Sequence, residues 1–188
     1  MARRNILALL LVFSGGGVAA QDWSEQLSRT LELPSHQWLE TLRSTPEVTL
    51  NDFTTDGCSG GMSSLWAFFA ERYPSFVEAL GGHPPWEECC VTHDRAYHTG
   101  GPDPAAEASY EARLEADRVL RECVRETQSA QDSILRDEYG LSEPQVRAAY
   151  GAVAAGMYQA VRLGGGPCTG LPWRWGYGYP QCWQKPDE

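Results

Sequence analysis

Apolar residues recur at three- and four-residue spacing along most of the chain, the period of a helix with one buried face. The clearest stripe is Val146, Ala149, Tyr150, Val153, Met157, Ala160 and Val161. Ser142-Glu143-Pro144-Gln145 ahead of it has the form of a capping box, so a helix is predicted over 142–164. A second stripe, Tyr110, Leu114, Leu120 and Val124, follows Asp103-Pro104, an N-cap with proline at the first helical position. It predicts a long helix to about residue 127. Residues 86–98 form a third helix, opened by Pro85 and closed by Thr99-Gly100-Gly101-Pro102. A fourth covers 63–73 and stops near Pro74. Residues 21–55 are polar with scattered anchors (Trp23, Leu31, Trp38, Leu39, Leu42), which fits one short helix and an extended lead-in. Strand patterns are scarce, and no period of 20–50 residues repeats. The expected class is all-α.

The first residues read as an address. Arg3 and Arg4 precede an apolar run over 6–13, then glycines and Val18-Ala19-Ala20, the layout of a secretory signal peptide cut after Ala20. The run falls short of the about 20 apolar residues that span a bilayer. Export changes how six cysteines read. In an oxidising compartment they make three disulfides, with 15 possible connectivities; in the cytosol Cys89 and Cys90 beside His93 and His98 would point to zinc. The expected location is therefore secreted or periplasmic. The 188 residues carry 15 basic and 25 acidic side chains, a net charge of −10. That is one domain of ordinary size, and the acid excess argues against nucleic acid as a partner.

Two helices can be docked by arithmetic. On a helix, Cys89, His93 and Tyr97 share one i, i+4 stripe, and Cys90 and Asp94 share the next. The short turn at 99–102 folds the following helix back antiparallel. If His93 then faces Asp117, Cys89 lies one turn back and Cys123 six residues on, rises of roughly 6 and 9 Å that side chains can absorb. One register gives both a His–Asp pair and a Cys89–Cys123 bridge. Asp117 would fix the His93 tautomer and leave the other ring nitrogen free to take a proton from water. The same pair also fits a buried histidine satisfied by a convenient acid. Asp56-Gly57-Cys58-Ser59-Gly60-Gly61 is a glycine-rich loop able to turn successive carbonyls inward, as a hard cation such as Ca²⁺ requires. A Cys58–Cys90 bridge would hold it one turn from Asp94, whose carboxylate completes an oxygen cage beside His93. An ordinary tight turn is the plainer reading of such a hexapeptide.

Cys-Cys-x-x-His-Asp-x-x-Tyr, from Cys89 to Tyr97, resembles the active-site helix of secreted phospholipases A2. The Asp-Gly-Cys-Ser-Gly-Gly loop resembles that family's calcium loop in its shorter bacterial and fungal style. Asp117 with Cys123 is similar to the second family helix. The likeness covers roughly 56–124 and implies a fold of two antiparallel disulfide-linked helices with a calcium loop plus extra helices. It implies His93 as general base, Asp117 as its orienter and Tyr97 as a brace on the aspartate. It further implies Ca²⁺ held by Asp94 and the carbonyls of Gly57, Ser59 and Gly61, with the Ser59 N–H helping to hold the oxyanion. The reaction implied is hydrolysis of the sn-2 ester of a glycerophospholipid at a membrane or micelle interface, by a monomer. Ala96 stands where the family often has a further cysteine, the stretch between Cys58 and Cys89 is longer than in the animal enzymes, and the loop lacks their flanking aromatic and extra cysteine.

The expected organisation is a signal peptide over 1–20, an extension over 21–55, the helical domain over 56–164, and an aromatic tail over 165–188 closed by Cys168 and Cys182. Trp173, Trp175, Tyr177, Tyr179 and Trp183 suit either a membrane interface or a lid pinned over the helices, the latter favoured. Trp66, Phe68 and Phe69 fit an acyl-chain slot or core packing equally. His98 is expected at the surface, and Glu87 and Glu88 complement the helix dipole without a catalytic role. The competing class is a noncatalytic, calcium-stabilised binding or toxin-like module on the same scaffold.

Overall fold

The computed structural model describes residues 16–58, 63–127 and 129–183. Most of the expected signal segment therefore lies outside the described residues, as do Ser59, Gly60 and Gly61 of the glycine loop. The chain divides into two compact units, Met1–Leu31 and Glu32–Glu188. In the first, the described residues are the opening half of helix α1 (Gly16–Arg43). The second unit carries the rest and all that follows. Among the described residues the structure is helical without strands, and no helix is long and apolar enough to cross a membrane.

The single short helix expected within 21–55 is instead the long α1, which runs through Pro34 to Arg43. Its inward face within the second unit is Glu32, His36, Leu39 and Arg43, at spacings of four, three and four. Trp38, read as an anchor, is 63% exposed, while Leu39 is buried. Three of the four inward side chains are polar, so hydrophobic periodicity could not reveal this face. The Trp23 side chain lies outside the described residues. Helix α2 (Ser63–Arg72) ends where expected, but Pro74 opens another helix, α3 (Pro74–Ala79), rather than merely stopping one. Proline suits that position because the first helical N–H has no partner inside the helix.

The centre is built from α4 (Glu87–Thr99), α5 (Ala106–Glu126) and α7 (Glu143–Gly164), with the one-and-a-half-turn α6 (Asp132–Asp137) before α7. Gly100 ends α4 in the left-handed conformation, φ 70°. Helix α5 begins later than Asp103-Pro104 implied: Ala105 is its N-cap, and Asp103 instead accepts the Ala105 N–H at 2.9 Å. Helix α7 opens as the sequence indicated, with Gln145 Oε1 accepting the Ser142 N–H at 2.8 Å. Cys89 meets Cys123, His93 meets Asp117 and Tyr97 lies by Arg113, so α4 and α5 run antiparallel. Leu120, Val124, Val146, Tyr150, Val153 and Met157 fill the core beneath, with Phe76 and Trp86. Trp66 and Phe69 pack around Trp86, edge-on at 5.8 and 6.4 Å, while Phe68 is exposed. The tail over 165–183 folds back on α4: Trp175 is buried edge-on against Tyr97 at 5.0 Å. Trp183 alone of the tail's aromatic rings is strongly exposed.

Candidate active site

The i, i+4 stripe of α4 and the facing stripe of α5 bring His93, Tyr97 and Asp117 together. Asp117 has no exposed surface, and its Oδ1 lies 2.9 Å from His93 Nε2 and receives the Tyr97 hydroxyl at 2.7 Å. Its Oδ2 receives Arg162 Nη1 at 2.9 Å, and Arg113 Nη2 stands 4.0 Å away. A carboxylate between two guanidiniums is an acceptor only. The proton in the His93–Asp117 bond therefore sits on Nε2. Nδ1 keeps the lone pair, and no partner engages it among the described residues.

Around this aspartate lies a group that sequence reasoning missed. Arg113 Nε donates to the Tyr97 hydroxyl at 3.2 Å, and its other nitrogens reach Glu32 and the Val161 carbonyl, the latter at 2.6 Å. Arg162 Nη2 donates to Glu32 Oε1 at 2.5 Å. Two carboxylates and two guanidiniums thus balance in a largely buried space, as buried charge requires. Burial pushes the Glu32 carboxyl up, but neighbouring His36, Arg113 and Arg162 outweigh it and hold it at about 2. Burial also drives the Tyr97 hydroxyl well above its usual range. One signal was available: Arg113 stands on the Tyr110–Leu114–Leu120 stripe, four residues before Asp117, where a solvated arginine has no place.

His93 lines an apolar cleft of about 100 Å³ with Leu120, Met157, Ala160, Val161, Trp173 and the Cys58–Cys90 disulfide. Trp173 reaches it from the tail, whereas Phe68, Phe69 and Trp86 line a separate apolar cavity. The slot beside His93 is therefore not formed by the 66–69 segment. Asp94, half-buried, lies at the cleft's edge with Asp56 and Gly57. Thr55 Oγ1 donates to Asp94 at 2.6 Å and also accepts the Gly57 N–H at 3.0 Å. Burial, with Asp56 nearby, pushes the Asp94 carboxyl up against the opposing pull of Thr55 and His93. No ion pair engages Asp94 among the described residues. The donor set here is all oxygen, which suits a hard cation rather than zinc. Among the described residues no three His, Cys, Asp or Glu side chains converge as a metal cage.

The cysteines pair as Cys58–Cys90, Cys89–Cys123 and Cys168–Cys182, so no thiol is free for zinc. His98, expected at the surface, is buried between Phe53 and Tyr177, whose rings meet it edge-on at 5.5 and 5.2 Å. The tail and the 50–54 segment, invisible as packing partners in sequence, cover it. His36 Nδ1 lies 2.9 Å from Ser109 Oγ with Glu32 beyond, a serine–histidine–glutamate series. Both side chains are buried, His36 with no exposed surface and Ser109 with 1%. No protein-family model, curated protein or solved structure matches this chain.

Proposed function

We propose that this chain is a calcium-dependent hydrolase of the sn-2 ester of glycerophospholipids, on a phospholipase A2-like scaffold, working outside the cytosol after removal of its signal peptide. The observation that carries the reading is one geometry. A histidine whose Nε2–H is fixed by a buried aspartate lies in the wall of an apolar cleft, beside the Asp94 carboxylate, which among the described residues Thr55 touches and no cation does. The cleft walls accept an acyl chain, since Leu120, Met157, Val161 and Trp173 offer no charge. His93 Nδ1 takes a proton from water as the water oxygen bonds to the ester carbonyl carbon. The imidazolium then returns that proton to the departing glycerol oxygen, giving a fatty acid and a lysophospholipid. Asp117 keeps its charge throughout and steadies the imidazolium. Asp94 and the carbonyls of Gly57, Ser59 and Gly61 would hold Ca²⁺, with the Ser59 N–H at the developing oxyanion. When bound, the ion supplies Lewis acidity toward the ester carbonyl.

The test is fatty-acid release from mixed phospholipid micelles by the folded, oxidised protein, with calcium or with chelator. The same assay is run on His93→Gln. Release that requires both calcium and His93 supports the reading. A folded protein that binds calcium but releases nothing from any common headgroup is instead a calcium-stabilised binding module.

A further inference from the structure

We infer that Arg162, anchored by Glu32, is a positioning residue that sets the orientation and tautomer of His93 through Asp117. The inference rests on the reading of His93 as the base. Asp117 can rotate about its terminal torsion, which is broad for an sp³–sp² bond. Among the described residues its Oδ1 meets His93 and Tyr97, both at that one oxygen, and neither fixes the carboxylate plane. Arg162 does: Nη1 grips Oδ2 at 2.9 Å while Nη2 grips Glu32 Oε1 at 2.5 Å. A planar guanidinium held at two nitrogens by two carboxylates cannot swing without breaking both contacts.

The anchor closes a ring. Glu32 also pairs with Arg113, Arg113 Nε donates to the Tyr97 hydroxyl, and that hydroxyl donates to Asp117 Oδ1. Asp117, Arg162, Glu32, Arg113 and Tyr97 are thus each held on two sides. They come from four helices: Glu32 on α1, Tyr97 on α4, Arg113 and Asp117 on α5, and Arg162 on α7. Charge follows the same logic. Asp117 is fully buried, and of the two guanidiniums beside it Arg162 is the one within bonding distance, Arg113 standing at 4.0 Å. A plane-locked Asp117 accepts from Nε2–H and so leaves Nδ1 as the lone-pair nitrogen. Remove the lock, and the carboxylate can turn, and the imidazole loses its single tautomer.

The experiment combines nitrogen-15 NMR of the imidazoles with micelle kinetics on the full, oxidised protein. The His93 signals are assigned by their loss in His93→Gln. We expect one neutral Nε2–H tautomer in the wild type and a tautomer mixture in Arg162→Gln. The kcat of Arg162→Gln should fall about 10- to 100-fold, as outer-shell substitutions do, with KM unchanged. Arg162→Lys keeps the charge as a single point donor and should recover part of the rate. Arg162→Gln with a single tautomer and wild-type kcat overturns the inference. If Arg162→Gln does not fold, Glu32→Gln, which frees the guanidinium without emptying space, decides by the same two readouts. If the wild type releases no fatty acid yet Arg162→Gln scrambles the tautomer, the positioning role stands and the hydrolase reading falls.

Discussion

The Tyr97 hydroxyl is the point where neutral and charged parts of the site meet. It donates to Asp117 and accepts from Arg113 Nε, so both its hydrogen-bonding functions are used at a buried position. Tyr97→Phe keeps the ring against Trp175 and His93 and removes only the oxygen. Arg113 Nε is then left buried and unpartnered, a loss of about 1–3 kcal/mol. Urea unfolding should show a lower midpoint with an unchanged slope, and fatty-acid release should fall about tenfold because His93 still holds Asp117. An unchanged midpoint would mean that Arg113 finds another acceptor. His93, Tyr97 and Asp117 could be placed together from sequence because their spacing is local: one helical stripe, one short turn and one facing stripe. Arg162 and Glu32 could not, since 130 positions separate them and no pattern in either neighbourhood marks a shared target. Nor could Trp173, whose place in the cleft wall depends on the path of an irregular tail.

At the scale of elements, the tail completes α4. A helix ends with carbonyls that have no partner inside it. Gly176 N–H bonds the Tyr97 carbonyl at 2.6 Å and Gly178 N–H the His98 carbonyl at 3.0 Å. Trp175, just ahead of Gly176, donates its indole N–H to Ser109 Oγ on α5 at 2.9 Å. The residue at 178 must be small. A Cβ there would stand 2.5 Å from Nε2 of the buried His98 ring and 2.6 Å from Cδ1 of the exposed Leu50. Gly178→Ala should therefore destabilise by about 1–3 kcal/mol, as overpacking does. Gly151, inside α7 with nothing within 4 Å of its added Cβ, gives the contrast. Gly151→Ala should stabilise by roughly 0.5–1 kcal/mol through helix entropy alone. Melting both variants against the wild type checks the pair, and a stable Gly178→Ala would show that the tail does not hold α4. The long amphipathic helices were legible in sequence because their apolar stripes are regular. The inward face of α1 was not, because Glu32, His36 and Arg43 bury polarity against polar partners, and the short α3 and α6 carry too few turns for a period to emerge.

For the whole molecule, the buried charge ties stability to pH, and the direction can be worked out from two groups. Burial, first, lowers the His36 proton affinity from its usual 6.5, with Arg113 and Arg162 acting the same way and Glu32 opposing. The unfolded chain then binds a proton that the folded chain refuses, so stability is complete above about pH 6.5 and declines as the pH drops below it. Glu32 extends the decline. Its carboxyl stands at about 2 when folded against 4.5 in its ordinary state. Between those values the unfolded chain again holds more protons, and the contribution of Glu32 is lost as the pH falls from about 4.5 towards 2. His36→Gln should remove the upper limb, leaving stability flat from neutral pH to about 4.5, while Glu32→Gln should flatten the lower one at the expense of stability at neutral pH. Urea midpoints measured from pH 7.5 to 3 on the three proteins separate these effects. A His36→Gln profile that still declines from pH 6.5 would place the upper limb on another group. Because Glu32 serves both Arg113 and Arg162, its protonation loosens the two guanidiniums that flank Asp117. In the folded chain the Glu32 carboxyl stays ionised down to about pH 2, so its protonation accompanies unfolding rather than preceding it: fatty-acid release and helical signal should fall together along the lower limb, and a loss of release well ahead of the loss of helix would place the effect on another group.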